Sequence, residues 1–189
     1  MDVRVGVRLI AGLLVAISLM IATAAWAVPP LAGKLVFVQG TVTIRRGGVG
    51  EWVPAQVQQA IYQGDEVMTG AASRAAILSL DESQITLNEN AILTLRSVVP
   101  SPRLRLADTI PSALERIPRS LYRLLRGEIW LRNNKEEFRF EMETPAVTAT
   151  IRGTEFTARV RADGTTVIAL LTGQLFLHNP QGDLLLSAG

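Results

Sequence analysis

Apolar and polar residues alternate along most of the chain, and the clearest alternation lies in residues 144–161, TPAVTATIRGTEFTARVR. A period of two is typical of a strand with one buried face. The apolar positions are odd-numbered up to Ile151 and even-numbered from Phe156 onward. A strand absorbs such a change with a bulge or a corner, and Gly153 adopts the required positive φ at least cost. We therefore predict a strand whose buried face changes at Gly153, with Ile151 and Phe156 both pointing into the interior.

Shorter alternating runs on both sides of this segment predict further strands, separated by turns rich in Gly, Asn and Asp. In the first half, the residues expected to point inward are Ala76, Leu78, Leu80, Ile85, Leu87, Leu93 and Leu95. In the second half, we expect residues 127–131 and 137–143 to form a hairpin around Asn133. Short strands at this spacing predict an all-β fold that is either β-solenoid-like or sandwich-like.

Residues 100–126 interrupt this pattern with a run rich in arginine and proline. Within it, Ser112-Ala-Leu-Glu115 has the form of a capping box, and the leucines that follow recur at helical spacing. The opposite face of the predicted helix carries Arg119, Arg123 and Arg126. Either this basic face contacts an anionic lipid or glycan surface, or the leucines cover an open end of the β stack while the arginines face water. We predict one helical connector between two β blocks.

The N-terminus has the composition of a secretory signal peptide. Two arginines precede an apolar run at residues 9–25, and Ala25-Trp26-Ala27 supplies the small residues that signal peptidase requires. An uncleaved membrane anchor is the alternative, although the apolar run is short for a span. We expect cleavage after Ala27, a periplasmic or secreted location, and no membrane span in the mature protein.

The predicted organisation is thus one domain behind a targeting segment, since the length suits a single core. The predicted parts are a signal peptide (1–27), a linker (28–32) and a domain (33–189) composed of a first β block (33–99), the connector (100–126) and a second β block (127–189).

Composition and charge exclude several classes of function. The 19 basic residues are nearly balanced by 17 acidic ones, so no nucleic-acid footprint is expected. There is no cysteine, and the one histidine, His178, has no evident nucleophile or metal-ligating neighbours. The acidic residues around Asp81 and Glu89 lack the spacing of a calcium loop and are expected to be turn formers and edge charges. We therefore predict a protein that is not an enzyme and that uses no cofactor or metal.

Candidate interaction residues flank the predicted turns. Trp52 either covers one end of the core or offers a stacking platform for a sugar. Arg45 and Arg46 precede a glycine-rich turn and form either a solvated hairpin tip or an anion site. Arg152 and Glu155 flank the predicted corner, where they either brace the bend as an ion pair or contact a ligand or partner.

An ordered set of short motifs resembles the FecR domain. VTATIRGTEF is similar to that family's RGTEF-type signature, formed here by Arg152, Gly153, Thr154, Glu155 and Phe156. Further similar stretches follow the family's order, namely GTV at 40–42, GDEVMTG at 64–70, SRAAIL at 73–78, RGEI at 126–129 and VIALLTGQLFL at 167–177. The resemblance spans about residues 33–189.

The resemblance implies a non-enzymatic module for protein binding or signal relay in the cell envelope. In the family, this domain is the periplasmic part of regulators that relay the occupancy of an outer-membrane iron transporter to an anti-sigma function. No cytoplasmic helical segment precedes the apolar run here, so we expect a stand-alone module without its own anti-sigma region. An envelope protein is the expected partner. An envelope module that binds glycan or an anionic surface, or that is structural, is the alternative.

Overall fold

Thirteen strands form one continuous and mostly antiparallel sheet in the computed structural model, which describes residues 29–97, 120–133 and 140–188. The strands are β1 (Leu31–Gln39), β2 (Val42–Arg45), β3 (Val53–Pro54), β4 (Ala60–Tyr62), β5 (Glu66–Thr69), β6 (Arg74–Ser79), β7 (Gln84–Leu87), β8 (Ile92–Ser97), β9 (Ser120–Asn133), β10 (Phe140–Glu143), β11 (Thr148–Val160), β12 (Thr166–Asn179) and β13 (Gly182–Ser187). A single 3-10 turn, Arg46–Gly48, lies between β2 and β3.

Three long strands bend and thereby fold the sheet into two layers. The first half of β9 pairs with β8 and β10, whereas its second half pairs with β7 and β11. Strands β11 and β12 likewise continue from one layer into the other. The bends fall at Gly127, Gly153 and Gly173, whose φ values are +82°, +58° and +86°. Because a side chain disfavours this backbone region, glycine at these three positions lets each strand change layers.

One apolar core lies between the two layers. One layer contributes Ile85, Leu131 and Phe156, and the other contributes Leu93, Leu124 and Ile151, all essentially inaccessible to solvent. Tyr122 packs edge-on against Phe140 with ring centroids 6.0 Å apart. The all-β prediction is therefore confirmed, and the arrangement is sandwich-like. A solenoid stack is excluded for these strands because nearly all of them pair antiparallel, whereas stacked coils pair in parallel.

The predicted inward residues are confirmed in β7 and β8 but wrong in β6. Strand β6 buries Ala75, Ile77 and Ser79, while Ala76 and Leu78 are only half-buried. A serine points inward because its hydroxyl is satisfied there: Ser79 Oγ lies 2.9 Å from the Tyr122 hydroxyl and donates to the Ala32 carbonyl at 3.1 Å. The hydrogen bonds of Ser79 with Tyr122 and Ala32 thus favour burial of the odd-numbered residues of β6.

The predicted helical connector is wrong for residues 120–126, which belong to β9. Tyr122 and Leu124 are buried while Leu125 and Arg126 are exposed, and β8 and β10 supply hydrogen-bonding partners on both sides. Gly127 does not end a helix; it sits where β9 passes closest to Ala91. The remainder of the predicted connector, including Arg119, lies outside the described residues.

The predicted hairpin between residues 127–131 and 137–143 is also wrong. Strand β10 pairs in parallel with the first half of β9, so that Phe140 lies opposite Ser120 and Glu143 opposite Arg123. The second half of β9 is occupied on both sides by β7 and β11, which leaves no free side for β10.

Across the described ranges, no helix has the length and apolar character needed to cross a bilayer.

Candidate functional site

The RGTEF segment forms an elbow in β11. Gly153 stands beside Gly173 of β12, and a Cβ added at Gly173 would lie 2.4 Å from the Gly153 carbonyl oxygen. The register between β11 and β12 shifts between Arg152 and Phe156. Ile151 and Phe156 are both fully buried as a result. The predicted change of buried face at Gly153 is therefore confirmed.

Glu155 has structural partners at the elbow, whereas the buried Thr154 hydroxyl has no hydrogen-bond partner among the described residues. The Glu155 carboxylate accepts a hydrogen bond from the Trp130 indole N–H at 3.0 Å, and its backbone N–H donates to the Thr172 hydroxyl at 3.2 Å. Thr154 is buried beside Gly173. The side chain of Arg152 lies outside the described part of the structure, so the predicted pairing of Arg152 with Glu155 stays a prediction. Glu155 thus braces the bend through Trp130 on the neighbouring strand.

Trp52 is half-buried and lies under an arginine. The Arg45 guanidinium carbon is 4.6 Å from the centre of the Trp52 ring, and Arg45 Nε donates to Glu66 at 2.8 Å. Stacking of this kind is favourable because the ring face is electron-rich. One face of the ring is therefore occupied by the protein's own cation, which leaves the sugar-platform interpretation of Trp52 without support from its surroundings.

A buried carboxylate fixes the neighbouring turn. Asp65 is only 1% exposed, and it accepts hydrogen bonds from the backbone N–H groups of Gly47 at 3.0 Å and Tyr62 at 2.9 Å, and from the Arg46 guanidinium. The cation compensates the cost of burying the acid. Arg45 and Arg46 are both held in ion pairs, which gives no support to the anion site that the sequence suggested. Arg46 remains 46% exposed in the connection between β2 and β3, so the solvated hairpin tip is confirmed.

A second polar cluster joins the two layers inside the core. The Tyr122 hydroxyl donates to Asp81 Oδ2 at 2.6 Å, and Asp81 Oδ1 accepts from the backbone N–H of Ser83 at 2.9 Å. Asn133 Nδ2 donates to Ser83 Oγ at 2.9 Å. Burial, followed by the adjacent Asp81 carboxylate, raises the pKa of Tyr122 well above its ordinary value. Asp81 does form the predicted turn, but the expectation of an exposed edge charge is wrong because Tyr122 draws it inward.

Arg123 and Arg126, the described residues of the predicted basic helix face, lie on a strand and not on a helix. Arg123 Nε donates to Glu143 at 2.8 Å, and Arg126 Nη2 lies 3.8 Å from the Met68 sulfur. Both residues are on strand β9, where Arg123 faces the outside of one layer beside β10. The amphipathic helix that would have presented them to a membrane or glycan is absent from this part of the described chain.

An open polar groove of about 740 Å³ lies where several strands end at one edge of the bend. Arg74, Arg159 and Arg161 line it, together with Glu128. Glu128 is already engaged, because it pairs with Arg159 and accepts from Asn88 Nδ2 at 2.7 Å. The groove is thus an open polar surface in which Arg159 is paired with Glu128.

The described residues do not bring together a set of catalytic or metal-binding side chains. His178 is exposed and contacts Asp183 across the β12–β13 turn, and no serine or threonine hydroxyl in the described chain bonds to it. Within the same ranges, no group of three or more His, Asp or Glu side chains could hold a metal ion. The arrangement offers surfaces for contact and no reactive centre in the part that the structure describes.

The most unusual surface is the open edge at β13. Of the twelve large apolar side chains that are exposed in the described residues, five lie on β12 or β13, namely Val167, Leu171, Phe176, Leu184 and Leu185. Among the described strands, β13 pairs only with β12 and so ends the sheet. At the opposite ends, β3 and β4 have two and three residues, and β3 carries Pro54. Short strands and proline protect a sheet edge against further pairing, and β13 has neither device.

Both faces of this edge are apolar. On one face, Leu184 and Leu186 line a shallow groove of about 440 Å³ together with Ile168, Leu177 and Val147. On the other face, Leu185 lies opposite Phe176, and these side chains are 60% and 43% exposed. A partner strand added to β13 would therefore gain backbone hydrogen bonds and apolar contacts on both of its faces.

Comparison with known proteins identifies the family. The model of the FecR protein family matches residues 65–176, more than half of the chain. The chain belongs to the FecR family. Among curated proteins, none matches the sequence. Two crystal structures of a candidate anti-sigma factor from Parabacteroides distasonis, at 1.65 and 2.50 Å resolution, share the fold with a TM-score of 0.50 and 14% identity. The match covers 65% of this chain and 51% of that chain, so this chain matches about half the length of the solved one.

The motifs of this FecR domain fall at its bends and buried polar contacts. Asp65 of the GDEVMTG segment holds the Arg46 turn, Gly127 of RGEI brings β9 against Ala91, and Gly153 of RGTEF makes the elbow. Two features were not predicted from the sequence. The burial of Asp81 had no signal in the local pattern, and the consecutive leucines of β13 indicate an apolar strand but not its place at the end of the sheet. That strand lies beyond the family match, which ends at residue 176.

Proposed function

We propose that this FecR-domain protein is a non-enzymatic module of the cell envelope that binds a protein partner and relays its presence as part of a signalling pathway. Family membership supports the regulatory class. The observation that carries the proposal is the β13 edge, a strand that is paired on one side only among the described residues and has apolar side chains on both faces. Surfaces of this kind recognise extended protein segments by strand addition.

The proposal is tested by capture from envelope extract with two matched variants. Leu185→Lys adds a charge at the centre of the β13 edge, and Val57→Lys adds the same charge to a side chain 51% exposed in a distant turn. We expect the wild type and Val57→Lys to retain the same envelope protein, and Leu185→Lys to retain roughly tenfold less, since a lysine on the edge opposes pairing. Equal retention by all three would contradict the proposal.

A parallel sedimentation with purified peptidoglycan tests the alternative of a glycan-binding module. We expect the wild-type protein to stay in the supernatant, because Arg45 already covers one face of the Trp52 ring. Co-sedimentation with the glycan, together with no protein partner in the capture experiment, would favour the alternative function.

Export is part of the same proposal and rests on the basic, apolar and small-residue order of the N-terminus. We expect the protein isolated from its host to lie in the periplasm or medium and to begin at Val28. Intact-mass measurement of the isolated protein checks this expectation. A mass that retains residues 1–27 would contradict cleavage after Ala27 and would indicate the anchored form.

A further inference from the structure

We propose that β13 pairs with β13 of a second copy of this chain, in an antiparallel register centred on Leu185, and that this pairing competes with the protein partner for the same edge. The proposal rests on the proposed function, in which β13 is a protein-binding edge. It adds that a second copy of this chain can occupy the edge, and that this dimerisation regulates partner binding by competition.

The backbone of β13 is arranged to accept one further strand. The N–H of Ala188 donates to the Gly173 carbonyl at 3.1 Å, a hydrogen bond to β12 directly after the last residue of β13. In an antiparallel ladder, the backbone N–H and C=O groups of successive residues point alternately to the two sides of the strand. The even-numbered residues of β13 therefore bond to β12. The N–H and C=O groups of Asp183, Leu185 and Ser187 therefore point to the open side, and Leu185 is the central residue of the three.

A two-fold axis at Leu185 places the leucines of β13 opposite leucines of the second copy. In this register, Leu185 lies opposite Leu185 of the copy, and Leu184 lies opposite Leu186 in both directions. Opposed residues of an antiparallel pair share a face, so Leu184 and Leu186 stay on the groove side while Leu185 stays beside Phe176. The groove lined by Leu177, Leu184 and Leu186 then continues from one copy into the other.

The charge on the strand also permits self-pairing. Asp183 is the one charged residue between Gly182 and Ser187. In the register centred on Leu185, Asp183 lies opposite Ser187 of the copy, and the two aspartates stand four residues apart along the strands. That is roughly 14 Å at the rise of an antiparallel strand, beyond the screening length at physiological salt. Pairing around Leu184 instead would set Asp183 opposite Leu185 and Gly182 opposite Leu186, so that only the Leu184 pair would remain.

The same geometry stops at two copies. The isologous contact uses the open side of β13 on both molecules, and the far ends of the sheet are the short strands β3 and β4. A two-fold contact closes on itself, so no filament follows from it. A partner that adds its own strand at β13 must displace the second copy, which makes partner binding and dimerisation mutually exclusive.

The test uses engineered cysteines, because the chain has none of its own. Leu184 and Leu186 form a non-hydrogen-bonded pair across the proposed axis, where Cα atoms are about 4.5 Å apart and a disulfide fits. We mix purified Leu184→Cys and Leu186→Cys proteins of different mass tag with an oxidant. The expected result is a disulfide-linked heterodimer from the mixture and no disulfide dimer from either protein alone.

Equilibrium sedimentation supplies the second measurement. We expect Leu185→Lys to weaken the dimer roughly tenfold or more, through the lost leucine pair and the opposed charges, while Val57→Lys leaves it unchanged. A disulfide dimer from Leu184→Cys alone would overturn the register centred on Leu185. A monomer at all concentrations, with no cross-link in the mixture, would overturn self-pairing. That outcome leaves the proposed function standing if Leu185→Lys still loses the envelope partner, so the two proposals fail separately.

Discussion

Replacing Gly127 by alanine is expected to lower the free energy of unfolding by about 4 kcal/mol, a large part of a typical domain's stability. Two causes add at this position. The backbone has φ +82°, where a side chain costs about 1–3 kcal/mol. The new methyl group would also lie 2.3 Å from Ala91 Cα, which forces β9 away from the chain that precedes β8.

The matched control is Gly47→Ala. Gly47 has a similar φ of +57°, but nothing lies within 4 Å of an added Cβ. We expect this control to lose only about 1 kcal/mol, from the backbone conformation alone. Urea unfolding of the three proteins measures both effects as shifts of the midpoint at constant slope. Equal midpoints for the two variants would mean that the close approach of β9 to Ala91 does not add to the cost of a side chain at Gly127.

Replacing Phe156 by alanine is expected to cost about 3–5 kcal/mol, the usual range for a fully buried phenylalanine. Phe156 has no solvent exposure and is the first core residue after the elbow in β11. Its removal leaves a cavity beside the point where the sheet changes layers.

Phe176→Ala is the control for this second substitution. Phe176 is the same residue type on the adjacent strand, but it is 43% exposed on the outer face. We expect it to cost about 1–2 kcal/mol, since only about half of the side chain is buried and no core cavity is left. Thermal or urea unfolding compares the two variants directly. A smaller loss for Phe156→Ala than for Phe176→Ala would show that the RGTEF phenylalanine does not anchor the core.

Local pattern predicted the fold class and the elbow because both depend on neighbouring residues. The change from odd to even apolar positions around Gly153 requires a bulge or a corner, and the structure has a bend with positive φ there. The outer faces of β7 and β8 followed from the same alternation. These features need no knowledge of distant contacts.

The errors of prediction arose where distant partners decide the local structure. The leucine spacing of residues 121–125 suits a helix as well as a strand, and only the pairing of β9 with β8 and β10 selects the strand. Similarly, Ser79 and Asp81 are buried because Tyr122, more than forty residues away, reaches them with its hydroxyl. A tertiary hydrogen bond of this kind leaves no mark on the local alternation.

The sequence predicted that the candidate site would be a contact surface, but it did not predict where on the fold that surface lies. Arg152, Glu155 and Trp52 drew attention because they are polar or aromatic residues at turns, yet Glu155 and Trp52 contact the protein's own side chains. The open edge became visible only when the order of strands put β13 at the end of the sheet. Whether a strand is an edge is a property of the topology, and the sequence of one strand does not contain it.

The central claim, that the open side of β13 is a protein-binding edge, is tested most directly by residue-resolved hydrogen exchange of its backbone amides. Leu184 and Leu186 should be protected under all conditions because their N–H groups bond to β12. The account predicts that the amides of Asp183, Leu185 and Ser187 exchange rapidly in dilute protein and become protected when a second copy or the partner is added. Rapid exchange of these three amides in protein that is demonstrably dimeric or partner-bound would contradict it.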